Sequence, residues 1–209
     1  MPKLLRLEAS KHIRGRVLAF FEDGTLLRFT ENEVLRHQLY AGKELSPEEV
    51  QALTELSRLA SAKHRAAQII SRTLVSRAEL IDRLRQKGER PEDCEAAAQW
   101  LEELGLLDDE RTAATVVRHY AQKGYGRKKI ESELFRRKLP RTLWAQALSE
   151  LGDGAEELDR LVERRLRGRF PDEKELKRLQ GYLLRRGYDW QQVKEALERC
   201  GARSDAFEE

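Results

Sequence analysis

Three consecutive cations, Arg127, Lys128 and Lys129, follow directly on Gly124-Tyr125-Gly126, and three more, Arg136, Arg137 and Lys138, close the same stretch. Arg118 and Lys123 precede this group, and a further pair, Arg185 and Arg186, stands before Gly187. Guanidinium and ammonium groups at this density bind phosphate or an acidic protein surface. Read as a helix, the stretch puts Arg127–Lys129 at the positive end of the macrodipole, where nothing local favours them. An external anion or an acidic partner surface is the expected reason for their place. Tyr120, Tyr125 and Tyr188 flank basic residues and are candidates for stacking on bases. The plainer alternative is a solvated, mixed-charge helical face.

Other constellations carry no chemistry. His12, His37, His64 and His119 have no metal-ligand spacing with one another or with Cys94 and Cys200. Both cysteines fall on apolar helical positions and read as packing residues. Gly124-Tyr125-Gly126 lacks the preceding strand and the spacing of a phosphate loop. Asp108-Asp109 reads as a helix cap, and Trp100, Trp144 and Trp190 read as packing on the helical cores. No catalytic, metal or cofactor site is expected, and the chain does not read as an enzyme.

The elements that position these residues are mainly helical. Ser46-Pro47-Glu48-Glu49 is a capping box with Pro at the first helical position, and Ser76, Asp172 and Asp189 begin similar starts. Pro91 and Pro140 open helices. Gly88, Gly105, Gly124, Gly152, Gly187 and Gly201 each follow a helical stretch and read as left-handed caps. About ten helices of roughly 10–18 residues are predicted. Near the N-terminus, Val17–Phe21 and Thr25–Phe29 flank Glu22-Asp23-Gly24 and predict a β-hairpin that leans on the first helices.

A repeat organises the helices. Aligning Gly88, Lys138 and Gly187 makes Leu80, Ile130 and Leu179 equivalent, then Leu84, Leu134 and Leu183. Beyond the turn, Cys94, Trp144 and Val193 align, followed by Ala97, Ala147 and Ala196, by Ala98, Leu148 and Leu197, and by Leu101, Leu151 and Cys200. Those positions after the turn are spaced i, i+3, i+4, i+7, one helical face. A further helix precedes each copy, over about 57–73, 109–123 and 155–168. The expected fold is mainly α: three stacked three-helix repeats of about 50 residues in an elongated curved array, with the small N-terminal hairpin. The expected segments are 1–45 for hairpin and linker, 46–105, 106–152 and 153–203 for the repeats, and 204–209 for a tail.

Composition agrees with such an array. Charged residues are 37% of the 209, a high load for a single compact globule, yet Lys+Arg at 40 and Asp+Glu at 37 leave a net charge of only +3. The distribution is uneven. From Glu89 to Glu110 nine acids face one Arg, net −8; from Arg111 to Arg141 ten cations face two acids, net +8; from Arg160 to Gly187 ten face four, net +6. Two distant cysteines fit a reducing compartment. No apolar run approaches the roughly 20 residues of a membrane span, and Met1–Arg6 lacks a signal-peptide core. A cytoplasmic location is expected.

Leu104-Gly105-Leu106-Leu107-Asp108-Asp109-Glu110-Arg111, followed by Gly124-Tyr125-Gly126-Arg127-Lys128-Lys129-Ile130-Glu131-Ser132-Glu133-Leu134, resembles the central signature of the RecX regulatory proteins. Ser71–Leu80, Leu39–Leu45 and Tyr182–Asp189 are similar to further segments of that family, so the likeness runs from about residue 12 to 200. Thr112 stands where the family usually has Phe, Lys138 where it usually has Gly, and Val75 where it usually has a basic residue. The resemblance implies a non-enzymatic regulator, mainly an inhibitor, of the RecA recombinase. Such a protein binds the RecA–single-stranded-DNA filament and limits its growth, ATP hydrolysis, strand exchange and co-protease activity, which belongs to DNA repair, homologous recombination and the SOS response. The implied partner is the filament, with single- or double-stranded DNA as a further one, no membrane, and a monomeric protein. Arg118, Lys123, Tyr125, Arg127–Lys129, Arg136–Lys138, Arg185 and Arg186 are the expected contact residues. The alternative is DNA binding without RecA through the basic faces of the second and third repeats.

Overall fold

The computed structural model describes residues 2–11, 13–149, 151–152, 154–168 and 171–200. His12, Gly201 and the 204–209 tail lie outside them. Strands β1 (Leu4–Ala9), β2 (Arg16–Phe21) and β3 (Leu26–Thr30) form one antiparallel sheet in the order β1-β2-β3. The predicted hairpin is β2–β3, with Val17 opposite Phe29 and Phe20 opposite Leu26. Strand β1 corrects the two-stranded expectation. It buries only Leu4 fully, and an irregularity between Leu4 and Arg6 breaks the period-two pattern that would have marked a strand. The sheet does lean on the first helices: Leu4, Ala19, Phe21, Leu27 and Phe29 pack with Leu39, Leu45 and Leu53.

Helix α1 (Glu31–Arg36) starts in a reciprocal Thr30–Glu33 capping box, and α2 (Pro47–Ile70) in one between Ser46 and Glu49. Helix α2 is a single 24-residue element that absorbs both the Ser46 start and the segment expected over 57–73. It is followed by α3 (Arg77–Gln86) and α4 (Pro91–Glu103). Asp108 caps α5 (Asp109–Gln122) by accepting from the Arg111 amide, and Gly126 precedes α6 (Arg127–Arg136). After Pro140 a 3-10 turn, Arg141–Leu143, leads into α7 (Trp144–Ser149). The last three are α8 (Ala155–Leu166), α9 (Glu173–Arg185) and α10 (Trp190–Arg199), the latter two begun by Asp172 and Asp189 side chains. The helices span 6 to 24 residues, a wider range than the sequence predicts.

Packing divides the chain into two units, Met1–Leu74 with Glu79–Leu107, and Val75–Ala78 with Asp108–Glu209. In the second unit, Ala113, Val116, Val117, Ile130, Leu134 and Leu148 belong to one core, and Leu158, Val162, Leu183, Val193 and Leu197 to another. Four of the six aligned sets are buried in every copy: Leu80, Ile130 and Leu179; Leu84, Leu134 and Leu183; Ala97, Ala147 and Ala196; Ala98, Leu148 and Leu197. In the other two sets Cys94, Val193 and Leu101 are buried, while Trp144, Leu151 and Cys200 are only partly so. Each fully buried Leu or Ile contributes about 1.5–3 kcal/mol. The aligned turn keeps its hand as well, with φ of 82° at Gly88, 54° at Lys138 and 90° at Gly187. Lys138 therefore adopts the left-handed turn despite its Cβ, at a cost of about 1–2 kcal/mol.

Candidate functional site

The start of α6 is built against the end of α9. The Gly126 amide donates to the Arg186 carbonyl at 2.9 Å, and the Lys128 amide to the Gly187 carbonyl at 3.0 Å. Two N–H groups that a helix start leaves without intrahelical partners are thereby satisfied by the carbonyls that a helix end leaves over. The positive end of one macrodipole meets the negative end of the other. This corrects the expectation that only an external anion favours Arg127–Lys129: the α9 terminus supplies negative charge on the spot. Lys128 completes the junction through a 2.7 Å ion pair with Asp189, whose carboxyl is held below its usual range by that hydrogen bond first and by the Gln191 amide next.

Two glycines make the approach possible. A Cβ on Gly126 would lie 2.5 Å from the Gly187 carbonyl group and the Tyr188 amide, and one on Gly187 would strike the Lys129 backbone and Cβ. Gly187 needs its positive φ besides.

Arg186 holds the same junction from the side. Its Nη1 donates to the Lys123 carbonyl at 2.6 Å and to the Gly124 carbonyl at 2.9 Å. Its guanidinium lies 4.7 Å from the centre of the Tyr125 ring and 5.1 Å from that of Tyr182. The ring of Tyr125 also leans on Tyr120, with centroids 5.3 Å apart. Arg186 and Tyr125 thus work inside the protein, linking the turn before α6 to the turn after α9. Arg185, its neighbour in sequence, is exposed and lines a separate hollow along α9 with Lys174, Lys177 and Arg178.

At the other end of α6 the organising residue is an acid. Glu133 is buried and takes Arg136 through two hydrogen bonds, 2.6 and 2.9 Å, and Arg137 through one of 2.8 Å. These bonds, Arg136 first, hold its carboxyl at about 2 in spite of burial. They keep the Arg136 guanidinium charged, and Glu133 raises the Tyr120 phenol after burial has done so. Arg127 pairs with Glu131 at 2.9 Å. Sequence reasoning missed Glu133 as a hub, although its i, i+3 and i, i+4 spacing to Arg136 and Arg137 was legible.

Arg118, Tyr125 and Arg127 are brought together on one cavity of about 480 Å³, which the buried Tyr188 also lines. Tyr188 belongs to the third repeat's core, so it offers no face for a base, contrary to its reading as a stacking candidate. Trp144 packs in the second repeat and donates its indole N–H to the Leu139 carbonyl at 3.1 Å, but Trp190 is 45% exposed and corrects its reading as a core residue. Burial pushes both the Cys94 and Cys200 thiols up, away from reactivity. Among the described residues no cluster of His, Cys, Asp or Glu is arranged to hold a metal, and no helix is long and apolar enough to cross a membrane.

Comparison with known proteins identifies these helical units. Residues 108–148 match the second three-helix domain of RecX, and residues 153–197 match the third. A regulatory protein RecX of Pseudomonas fluorescens is 36% identical over 148 residues, which are 70% of this chain and 96% of that one. One of Clostridium tetani is 22% identical over 203 residues, 94% of each chain. Among solved structures, a regulatory protein RecX matches with a TM-score of 0.71 at 20% identity, covering 95% of this chain and 100% of that one, which is a likeness of fold. The chain belongs to the RecX family of regulatory, non-enzymatic proteins, and its α5–α7 and α8–α10 repeats are that family's second and third three-helix domains.

Proposed function

We propose that this chain regulates the RecA recombinase, mainly as an inhibitor, by binding the RecA–single-stranded-DNA filament and limiting its growth, ATP hydrolysis, strand exchange and co-protease activity. Membership of the RecX family is the observation that carries this reading. The contact surface is the basic face of the second unit. Arg118, Lys123, Arg127, Lys128, Lys129, Arg136 and Lys138 are exposed, Tyr125, Arg137 and Arg186 contribute from half-buried positions, and Arg185 extends the surface from its separate hollow on α9. Phe135, 66% exposed on α6 beside Arg136, adds an apolar anchor of the kind that protein interfaces pair with arginine. The protein acts as a monomer, and one bound copy stops the extension of many recombinase subunits.

The test follows RecA ATP hydrolysis on single-stranded DNA with this protein at a small fraction of the RecA concentration. The rate is expected to fall progressively, and Arg127→Ala, Lys128→Ala and Lys129→Ala together are expected to weaken that fall with helicity kept. An unchanged rate at every ratio would refute the reading. Full inhibition by the triple variant would remove α6 from the contact surface.

A further inference from the structure

Charge counts by sequence mark the end of the first repeat as acidic, yet the first unit gathers cations around one hollow. Arg65 and Arg72 on and just past the last turns of α2, and Arg83 and Lys87 at the end of α3, line a cavity of about 710 Å³ with Gln68 and Gln86. No carboxylate is among the described lining residues. Two of the cations are anchored: Arg65 donates to the Lys87 carbonyl at 2.8 Å and lies 3.1 Å from Glu89, and Arg83 donates to Thr73 Oγ1 at 2.9 Å. Arg72 and Lys87 are exposed, and among the described residues their side chains hold nothing else.

The surroundings intensify the charge. Arg16 on β2 has its guanidinium pushed down by burial and by repulsion from Arg28 and Arg65. The neighbouring His64 imidazole is lowered by burial and by Arg16 and Arg65, and among the described residues its buried Nε2 has no hydrogen-bond partner. The ends of α2 and α3 explain part of this, since an exposed cation at a helix end gains about 0.3–1 kcal/mol. That gain accounts for a cation at each end. It does not account for four around a common hollow, where each added like charge is unfavourable.

We infer that this hollow is a phosphate site for the backbone of a nucleic-acid strand, separate from the α6 face. Guanidinium forks pair with phosphate oxygens in two-point geometry, Lys87 adds a point charge, and the Gln68 and Gln86 amides can bond the adjoining sugar or base. The inference does not rest on the recombinase reading.

Its test is the fluorescence anisotropy of a labelled single-stranded oligonucleotide titrated with the full chain and no recombinase. Arg72→Gln with Lys87→Gln removes the two unanchored cations, and circular dichroism verifies unchanged helicity. Affinity near 0.1 M salt is expected to drop about tenfold, and the slope of log K against log salt to shrink by about 1.4, two phosphate contacts at about 0.7 each. An affinity and slope equal to those of the unaltered protein overturn the site. So does binding of inorganic tripolyphosphate, or of vesicles of anionic phospholipid, that depends on Arg72 and Lys87 while oligonucleotide binding does not. None of these outcomes bears on inhibition of ATP hydrolysis, so the two readings fail separately.

Discussion

On α6 most of the cations already hold something. Arg127 meets Glu131, Lys128 meets Asp189, and Arg136 and Arg137 share Glu133. Around the α2–α3 hollow, Arg65 and Arg83 are held by neighbours while Arg72 and Lys87 reach into solvent. The α6 region carries the larger run of positive charge in sequence, and the α2–α3 region carries charge that less of the protein uses. A run of cations therefore measures electrostatic character, and only the packing tells which members are available to a partner. Exposed ion pairs of the α6 kind are weak, about 0–1 kcal/mol, so a strongly acidic partner can exchange them. The Glu133 cluster is different, because its acid is buried.

The largest contrast can be broken at the equivalent turns. Gly187→Ala combines left-handed strain with a collision against Lys129, and should lower the stability of the second unit by about 3 kcal/mol or more. Gly88→Ala has the same strain in open space and should lower stability by only about 1 kcal/mol. Urea denaturation of both variants checks this. Equal losses would mean that the α6–α9 junction is not tight.

Next in size is the acid hub. Its carboxyl, depressed to about 2 by Arg136 and Arg137, gives stability that is present above the ordinary glutamate range and lost as pH falls toward 2. The unaltered protein should thus lose stability between about pH 4.5 and 2 more steeply than Glu133→Gln does. Paired denaturation curves across that window measure the difference, and parallel curves would show that the arginines do not hold the acid. The smallest effect sharpens the repeat comparison. Lys138→Gly relieves the one non-glycine among the three aligned turns and should stabilise the second unit by about 1 kcal/mol, seen as a raised urea midpoint at unchanged slope.

The helical core was legible in sequence because its signal is local. The i, i+3, i+4, i+7 face, the Asp108, Asp189 and Ser46 caps and the glycine stops all fall within one or two turns of chain, and the buried positions follow them. Strand β1 was not legible, since a strand with one fully buried side chain and a broken register leaves little alternation to read. The candidate site was legible as charge and not as geometry. Glu133 could have been found from its spacing to Arg136 and Arg137. The meeting of Gly126 with Gly187, 61 residues apart, could not, nor could the burial of Tyr188, which depends on the third repeat folding around it. The α2–α3 hollow escaped because Arg65, Arg72, Arg83 and Lys87 are spread over 23 residues with no two adjacent, and only the fold brings them around one cavity.

The junction of α6 with α9 has a consequence for how such a chain could lengthen or shorten. Each partner completes the other's backbone hydrogen bonding, and each needs a glycine opposite the other's backbone. A gene that copied the second repeat alone would carry a helix start with no terminus to receive it, and one that dropped the third would strand the same amides in water. The two glycines are therefore one inherited character: a side chain gained at either would part the repeats that both of them join.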